Sequence, residues 1–278
     1  MKKNDIIPCV LTIAGSDSGG GAGIQADLRT FYAFKVYGCS VISAVTAQNP
    51  DKVRKVDVLP AETVKAQLES VLGSFPVRYA KTGMLADSKI IECTAESIQK
   101  YDLKVIVDPV MVSTSGTRLL EESAIRTMKE KLFHLAEWIT PNIPEAELIC
   151  GKVLANEEAL ADAAEFLYRK YKCNVLLKSG HAITSEEIRD IVCYKGELFS
   201  LTSPVVKIDS NTAHGTGCTL SAALAANSAL GKSWQEALTA AKSFVYGSLC
   251  ESRNIHDTFS QMYPPQNDHS ERIVLKKY

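Results

Sequence analysis

The sequence lacks the marks of several large protein classes at once. No stretch of its 278 residues approaches the length of a membrane span. Met1-Lys2-Lys3-Asn4-Asp5 leads into an apolar run with no adequate h-region and no cleavage site, so a soluble, cytoplasmic protein is expected. Thirty-one Lys and Arg against 32 Asp and Glu give a net charge of −1, which offers nucleic acid or a membrane surface no bulk attraction. An anionic ligand must be held by a local site. The eight cysteines stand singly, with no Cys-x-x-Cys pair, as reduced, mostly buried thiols do rather than a disulfide framework or zinc site. There is no H-E-x-x-H, no G-x-S-x-G and no paired His/Cys metal spacing. With five histidines, a Cys–His nucleophilic pair would have to use His214, His181 or His134, and only the closeness of His214 to Cys218 favours one.

What the sequence does have is glycine in two informative places. In His214-Gly215-Thr216-Gly217-Cys218-Thr219-Leu220-Ser221-Ala222-Ala223, two glycines run into an apolar, alanine-rich stretch. That is the layout of a tight turn feeding a buried helix, whose first N–H groups and positive dipole end make an anion site. Alone, such a loop more often only caps a core helix. A second one, Gly15-Ser16-Asp17-Ser18-Gly19-Gly20-Gly21-Ala22-Gly23, shifts the balance. It contains neither G-x-G-x-x-G nor G-x-x-x-x-G-K-[ST], so a dinucleotide fold or P-loop is not supported.

Apolar residues make up 46% of the chain, enough for a sizeable core. Short apolar runs (Val10–Ala14, Val41–Ala47, Val77–Ala80, Val105–Val107, Trp138–Thr140, Val175–Leu177 and Ile191–Tyr194) predict strands, several apolar on both faces. Between them, Val64, Leu68, Val71 and Leu72, and likewise Ala159, Ala163, Phe166 and Leu167, repeat at helical spacing. Ser233-Trp234-Gln235-Glu236 is a capping box opening the last long helix, to about Ser252. This alternation predicts one parallel sheet covered on both faces. One domain over residues 1–254 is expected, with a polar, loosely held tail over 255–278 that contains Pro264-Pro265.

Ligands of such sheets gather beyond the carboxyl ends of the strands. There the sequence places the Gly15–Gly23 loop, Gln48-Asn49-Pro50, Lys81-Thr82-Gly83-Met84, Asp108-Pro109-Val110, Pro141-Asn142-Ile143-Pro144-Glu145 and Lys178-Ser179-Gly180-His181. Each has an ordinary explanation: Asp108 as a turn initiator, Asn142 and Glu145 as helix caps, Gln48 as a solvated loop residue. Their common placement argues for a site.

Taken together and in order, Ala14-Gly15-Ser16-Asp17 through Gly23-Ile24-Gln25-Ala26-Asp27-Leu28, Thr46-Ala47-Gln48-Asn49, Lys81-Thr82-Gly83-Met84-Leu85, Asp108-Pro109-Val110-Met111, Thr140-Pro141-Asn142-Ile143-Pro144-Glu145-Ala146-Glu147 and the His214–Ser221 run resemble the hydroxymethylpyrimidine/phosphomethylpyrimidine kinases of thiamine biosynthesis. These belong to the ribokinase superfamily, beside the pyridoxal kinases. The resemblance spans roughly residues 8–250. It departs at Ala213, where Thr is usual, and at Ser179, where Gly is more usual; the tail matches nothing.

The resemblance implies a ribokinase-like three-layer α/β/α fold around a mostly parallel sheet, with no separate lid domain, working as a cytoplasmic homodimer. It implies ATP as phosphoryl donor with Mg²⁺, and two successive phosphorylations of 4-amino-5-hydroxymethyl-2-methylpyrimidine to the pyrophosphate. Gly215, Thr216 and Gly217 would supply N–H groups to the transferring phosphoryl. Asp108 and Glu145, with Asn142, would hold Mg²⁺ through waters. Lys178 would neutralise phosphate charge. Gln48 would read the ring nitrogen and amino group of the pyrimidine, since one amide offers a donor and an acceptor. Ala22, Asp27, Met84 and Val110 would complete the pocket. Cys218 would act as base where sugar kinases carry Asp. A helix N-terminus lowers a thiol's pKa; against that, a thiolate would repel the γ-phosphate, and a small residue packing the helix start is the structural alternative. The competing functions are pyridoxal or pyridoxine kinase, a sugar kinase, and a non-enzymatic vitamin-precursor binding protein.

Overall fold

The computed structural model describes residues 6–49, 52–111, 120–180, 186–207, 212–256 and 259–278. Its strands are β1 (Cys9–Asp17), β2 (Tyr37–Gln48), β3 (Val53–Val58), β4 (Val77–Thr82), β5 (Lys104–Val107), β6 (Ala136–Ile139), β7 (Asn174–Leu177), β8 (Glu187–Tyr194), β9 (Glu197–Pro204), β10 (Arg253–His256), β11 (Phe259–Gln261) and β12 (Val274–Lys277). Ten form one sheet in the order β12-β9-β8-β7-β6-β5-β4-β1-β2-β3. Neighbours from β2 through β1, β4, β5 and β6 to β7 run parallel, while β3 at one edge and β8, β9 and β12 at the other add antiparallel.

The helices are α1 (Gly23–Ala33), α2 (Ala61–Leu72), α3 (Ser88–Lys100), α4 (Glu122–Thr127), α5 (Ile143–Cys150), α6 (Glu157–Tyr171), α7 (Thr216–Ala229) and α8 (Trp234–Cys250). The sheet's period of two divides the core between its faces. Leu11, Val105, Val107, Ile139 and Leu177 point into a cluster with α2, α3, α5 and α6. Val10, Ile106, Trp138 and Leu176 point into a second cluster with α7 and α8. This is the three-layer α/β/α, mostly parallel architecture that the resemblance implied; the strand pattern alone predicted a parallel sheet, and its Ile191–Tyr194 run, within β8, lies antiparallel to β7.

Local chemistry fixes the helix starts. Asp87 and Asn156 accept the first-turn amides of α3 and α6, and Ser233 with Glu236 forms the expected capping box of α8. Helix α7 has no such cap; it is buried without a break from Thr219 to Asn227, where its alanines let it lie against β1, β4 and β5. Every strand predicted from an apolar run is present. Those that went unseen are β3, β9 and β12, edge or near-edge strands of the large sheet, and the separate two-stranded pair β10 and β11; β3 is exposed along its whole length, so burial imposed no apolar pattern on it.

The tail departs from the loose arrangement expected of it. It adds β12 to the sheet against β9, with Val274 opposite Thr202, and buries Met262 and Ile273. Among its described residues, Met262 and Ile273 are buried and Leu275 packs partly buried beside them, too few apolar side chains to register in its composition. Among the described residues, no helix is long and apolar enough to cross a membrane.

Candidate active site

The two glycine loops, almost two hundred residues apart, pack against each other. Gly215 stands before α7 with φ +86°, and a Cβ built on it would run into the carbonyl oxygen of Gly21. Only glycine permits both that dihedral and that approach. At the opening of α7, the Thr216 N–H donates to the Ala213 carbonyl at 3.3 Å and the Thr219 N–H to the Gly215 carbonyl at 2.9 Å. The Gly217 and Cys218 amides lie between them, in the stretch where a helix start has no intrahelical acceptors.

Facing α7 is a cluster of charge. Lys178 Nζ lies 2.9 Å from Asp108 Oδ1, and Ser221 Oγ donates to Asp108 Oδ2 at 3.1 Å. A Cβ on Gly217 would meet Lys178 Nζ at 3.2 Å, which places the ammonium directly beside the helix start. Asp108 is buried, which favours its neutral form, yet Lys178 and Lys81 outweigh that and hold its pKa below the ordinary range. Burial likewise opposes the charge on Lys178, but Asp108 and Glu145 raise its pKa. Asn142 pairs with Lys178 across an isolated parallel bridge, carrying the sheet's alignment past the ends of β6 and β7.

Glu145 realises the structural alternative considered for it. Asn142 and Glu145 form a reciprocal capping box on α5, and the second Glu145 oxygen accepts the Met111 N–H at 3.0 Å. It also belongs to the charge cluster. Burial pushes its pKa up to about 7, with Lys178 pulling down and Asp108 pushing further up. A donor set of two carboxylates, Asp108 and Glu145, suits Mg²⁺, which binds through one or two carboxylates plus waters and phosphate oxygens. Among the described residues, no group of three or more His, Cys, Asp or Glu could hold a metal unaided.

On the other flank, Gln48 Nε2 is 3.1 Å from His214 Nε2, which is 3.2 Å from Asp17 Oδ2. Asp17 also accepts the Gly19 and Ala22 N–H groups, both at 2.8 Å, so one carboxylate shapes the whole first glycine loop. Ala22 lies in that loop. Met84 packs its methyl against Gly15, and Val110 holds φ +43°, a rare conformation for a β-branched residue and one that concentrates at functional sites.

Two sequence expectations change here. Asp27 is no open pocket wall: its side chain is wholly buried, 2.9 Å from Lys81 Nζ and accepting the Thr12 hydroxyl at 2.6 Å. Thr12 and Lys81 are cross-strand neighbours of β1 and β4, and α1 lowers Asp27 onto them. The expected lowering of the Cys218 pKa also fails. Burial raises it, and Asp27 and Asp108 push the same way, against the pull of Lys81 and a hydrogen bond from the Gly23 N–H. His214 bonds Gln48 and Asp17, and His134 sits in the turn before β6, at the opposite end of that strand; His181 lies outside the described residues. Sequence reasoning placed Lys81 at the site edge without a role and gave Asp17, Ser221 and the Met111 amide none, because the partners His214, Asp27, Asp108 and Glu145 are remote from them in the chain.

A mostly parallel ribokinase-like sheet, with acid, lysine and a glycine-led helix start gathered at its strand ends, defines a small-molecule kinase. The comparisons agree and narrow it. The family model described as phosphomethylpyrimidine kinase matches residues 17–262, and the chain belongs to that family. It is 42% identical over 250 residues to the hydroxymethylpyrimidine/phosphomethylpyrimidine kinase of Haemophilus influenzae, covering 88% of this chain and 92% of the relative. The phosphomethylpyrimidine kinase of Clostridium difficile superposes with a TM-score of 0.75 at 40% identity, over 86% of this chain and 98% of that one. The pyridoxal kinase of Staphylococcus aureus in complex with ADP superposes with a TM-score of 0.86 at 31% identity, over 99% of this chain and 100% of that one.

Proposed function

We propose that the protein transfers the γ-phosphoryl of ATP to the hydroxymethyl group of 4-amino-5-hydroxymethyl-2-methylpyrimidine, and then to the resulting monophosphate, giving the pyrophosphate. The observation that carries this reading is the convergence of Asp108, Lys178 and the glycine-led start of α7 at one end of the sheet, opposite Gln48. Phosphoryl transfer asks a protein mainly for positioning and charge stabilisation. Lys178, kept charged by Asp108 and Glu145, neutralises phosphate charge. The N–H groups at Gly215, Thr216 and Gly217 receive the transferring phosphoryl, with the Cys218 amide beside them, and the α7 dipole favours it there.

Asp108 and Glu145, with Asn142, would hold Mg²⁺ through waters, and the ion supplies charge neutralisation on the phosphates when bound. Gln48 pairs with the ring nitrogen and amino group of the pyrimidine; its bond to His214 orients the amide for that task. Ala22, Met84 and Val110 complete the pocket, and Asp27 acts from beneath it by fixing Lys81. Cys218 takes the proton of the attacking hydroxymethyl group. Its minority thiolate form is favoured by Lys81 and the Gly23 N–H.

The protein works as a single kinase domain over 1–254, to whose sheet the tail over 255–278 adds β12, in the cytoplasm, as a homodimer. The fully exposed edge strand β3, with Val53, Val56 and Val58 all open, supports the dimer. The decisive experiment incubates the purified protein with Mg-ATP and the pyrimidine alcohol, its monophosphate, pyridoxal or ribose, and resolves products by mass. Both pyrimidine phosphates should form and ribose should stay inert. A second reading, pyridoxal phosphorylation, is favoured by the structural likeness that extends over 99% of the chain; dominant pyridoxal phosphate formation would install it.

A further inference from the structure

Lys242 on α8 and Asp190 on β8 form an ion pair that the reaction as described does not use. Lys242 Nζ lies 2.6 Å from Asp190 Oδ2, and the two side chains are only 8% and 3% exposed. Withdrawing two charges from water is costly, and apolar residues of similar volume often hold two elements together as well or better. Stability alone is a poor reason for the pair.

The other carboxylate oxygen supplies a better one. Asp190 Oδ1 accepts the N–H of Ser179 at 2.9 Å. Ser179 is buried, so without Asp190 its amide would have no water to turn to. The preceding residue is Lys178, whose own N–H donates to the Pro141 carbonyl at 2.8 Å. The main chain is therefore held on both sides of Lys178, and directly afterwards Gly180 turns away with φ +61°. A lysine ammonium rides on a flexible four-carbon stem, so the orientation of its backbone decides where it can reach. Here it reaches Asp108 Oδ1 at 2.9 Å, beside the start of α7. Helix α8 packs against α7, so Lys242 ties the loop after β7 to the same helix pair that presents the Gly217 end.

We propose that Asp190, braced by Lys242, is a positioning residue for Lys178, holding the peptide between residues 178 and 179 so that the ammonium meets the phosphates of ATP. This rests on the phosphate role of Lys178 given above. The test compares Asp190→Ala, Asp190→Asn, Lys178→Ala and the Asp190→Ala/Lys178→Ala double variant. Equilibrium affinity for the ATP analogue AMP-PCP is measured with the steady-state constants for ATP and the pyrimidine alcohol. Asp190→Ala should weaken AMP-PCP binding and lower kcat/KM for ATP by about a hundredfold together, leaving the pyrimidine KM unmoved. Asp190→Asn keeps an acceptor for Ser179 and should recover at least about tenfold of that loss. In the Lys178→Ala background, Asp190→Ala should cost less than about threefold more, because its effect passes through the missing ammonium.

Losses that multiply in the double variant, or an Asp190→Ala protein whose nucleotide constants match the parent, would overturn the proposal. Should Asp190→Ala not fold, the Asp190→Leu/Lys242→Met variant replaces it. That apolar pair removes the acceptor for Ser179 and leaves no buried charge unpaired, so a hundredfold loss of AMP-PCP affinity supports the proposal and parent-like affinity refutes it. Because AMP-PCP binding needs no acceptor alcohol, a parent that binds it yet phosphorylates neither pyrimidine would overturn the substrate reading and leave this test standing.

Discussion

The pH dependence of phosphoryl transfer gives the sharpest test of the proposed role of Cys218. A free thiol titrates near pH 8.5, and burial against Asp27 and Asp108 holds this one above its ordinary value. At pH 7 the thiolate is then the minority form. If that minority form takes the proton of the attacking hydroxyl, the rate of the chemical step should rise about tenfold per pH unit from pH 6.5 to 8.5. The sign follows from the base being the deprotonated form: more hydroxide, more thiolate, faster transfer. The assay is single-turnover phosphorylation with saturating Mg-ATP, which isolates chemistry from product release. Cys218→Ser should lose at least about a hundredfold at pH 8, since base catalysis contributes about 10²–10⁴. Cys218→Asp installs a group ionised across the whole range, so its profile should be flat and its rate at pH 6.5 should exceed that of Ser. A flat parent profile, or a Ser variant within a few-fold of the parent, would refute the reasoning and leave charge stabilisation by Lys178 and the α7 amides to carry the rate.

Other expectations follow from the same geometry. Gln48→Ala should raise the pyrimidine KM by the equivalent of about 1–3 kcal/mol per lost partner, with ATP constants nearly unmoved; equal losses for both ligands would assign Gln48 a role in folding instead. Asp108→Asn should slow turnover and raise the Mg²⁺ concentration giving half-maximal rate, with added Mg²⁺ restoring part of the activity in a titration. The nucleotide-free protein should lose stability as pH rises from about 4.3, the ordinary Glu value, towards 7, because folded Glu145 holds its proton up to about 7. Its contribution is full below the lower value and gone above the upper one, and denaturant melts of Glu145→Gln should show a shallower slope over that window.

How much of this was legible beforehand depends on what each residue answers to. The parallel strands were visible because both their faces are buried, so Val105, Ile106 and Val107 had to be apolar without alternation. Gly215 was visible because nothing else tolerates φ +86° against the Gly21 carbonyl. Strand β3 was not, because an exposed edge imposes no pattern. Val110 was reached only through the family resemblance, since a valine forced to positive φ looks like any valine after a proline.

Asp27 shows the deeper limit. In the sequence it is an acid beside a glycine-rich loop, and a pocket role is the natural inference. In the structure it is wholly buried, and its partner Lys81 lies 54 residues away on β4. Nothing local distinguishes the two situations; the order β4-β1 in the sheet does, because it sets Lys81 beside Thr12 under α1. Replacing either charge alone would leave the other buried and unpaired, a loss of about 3–5 kcal/mol. Lys81 also bears on Asp108 and Cys218 electrostatically, so the buried pair reaches the site through its charge. The fold was readable from faces and periods; the chemistry of the site depends on which remote charges the topology sets side by side, as with Asp108 and Lys178, 70 residues apart.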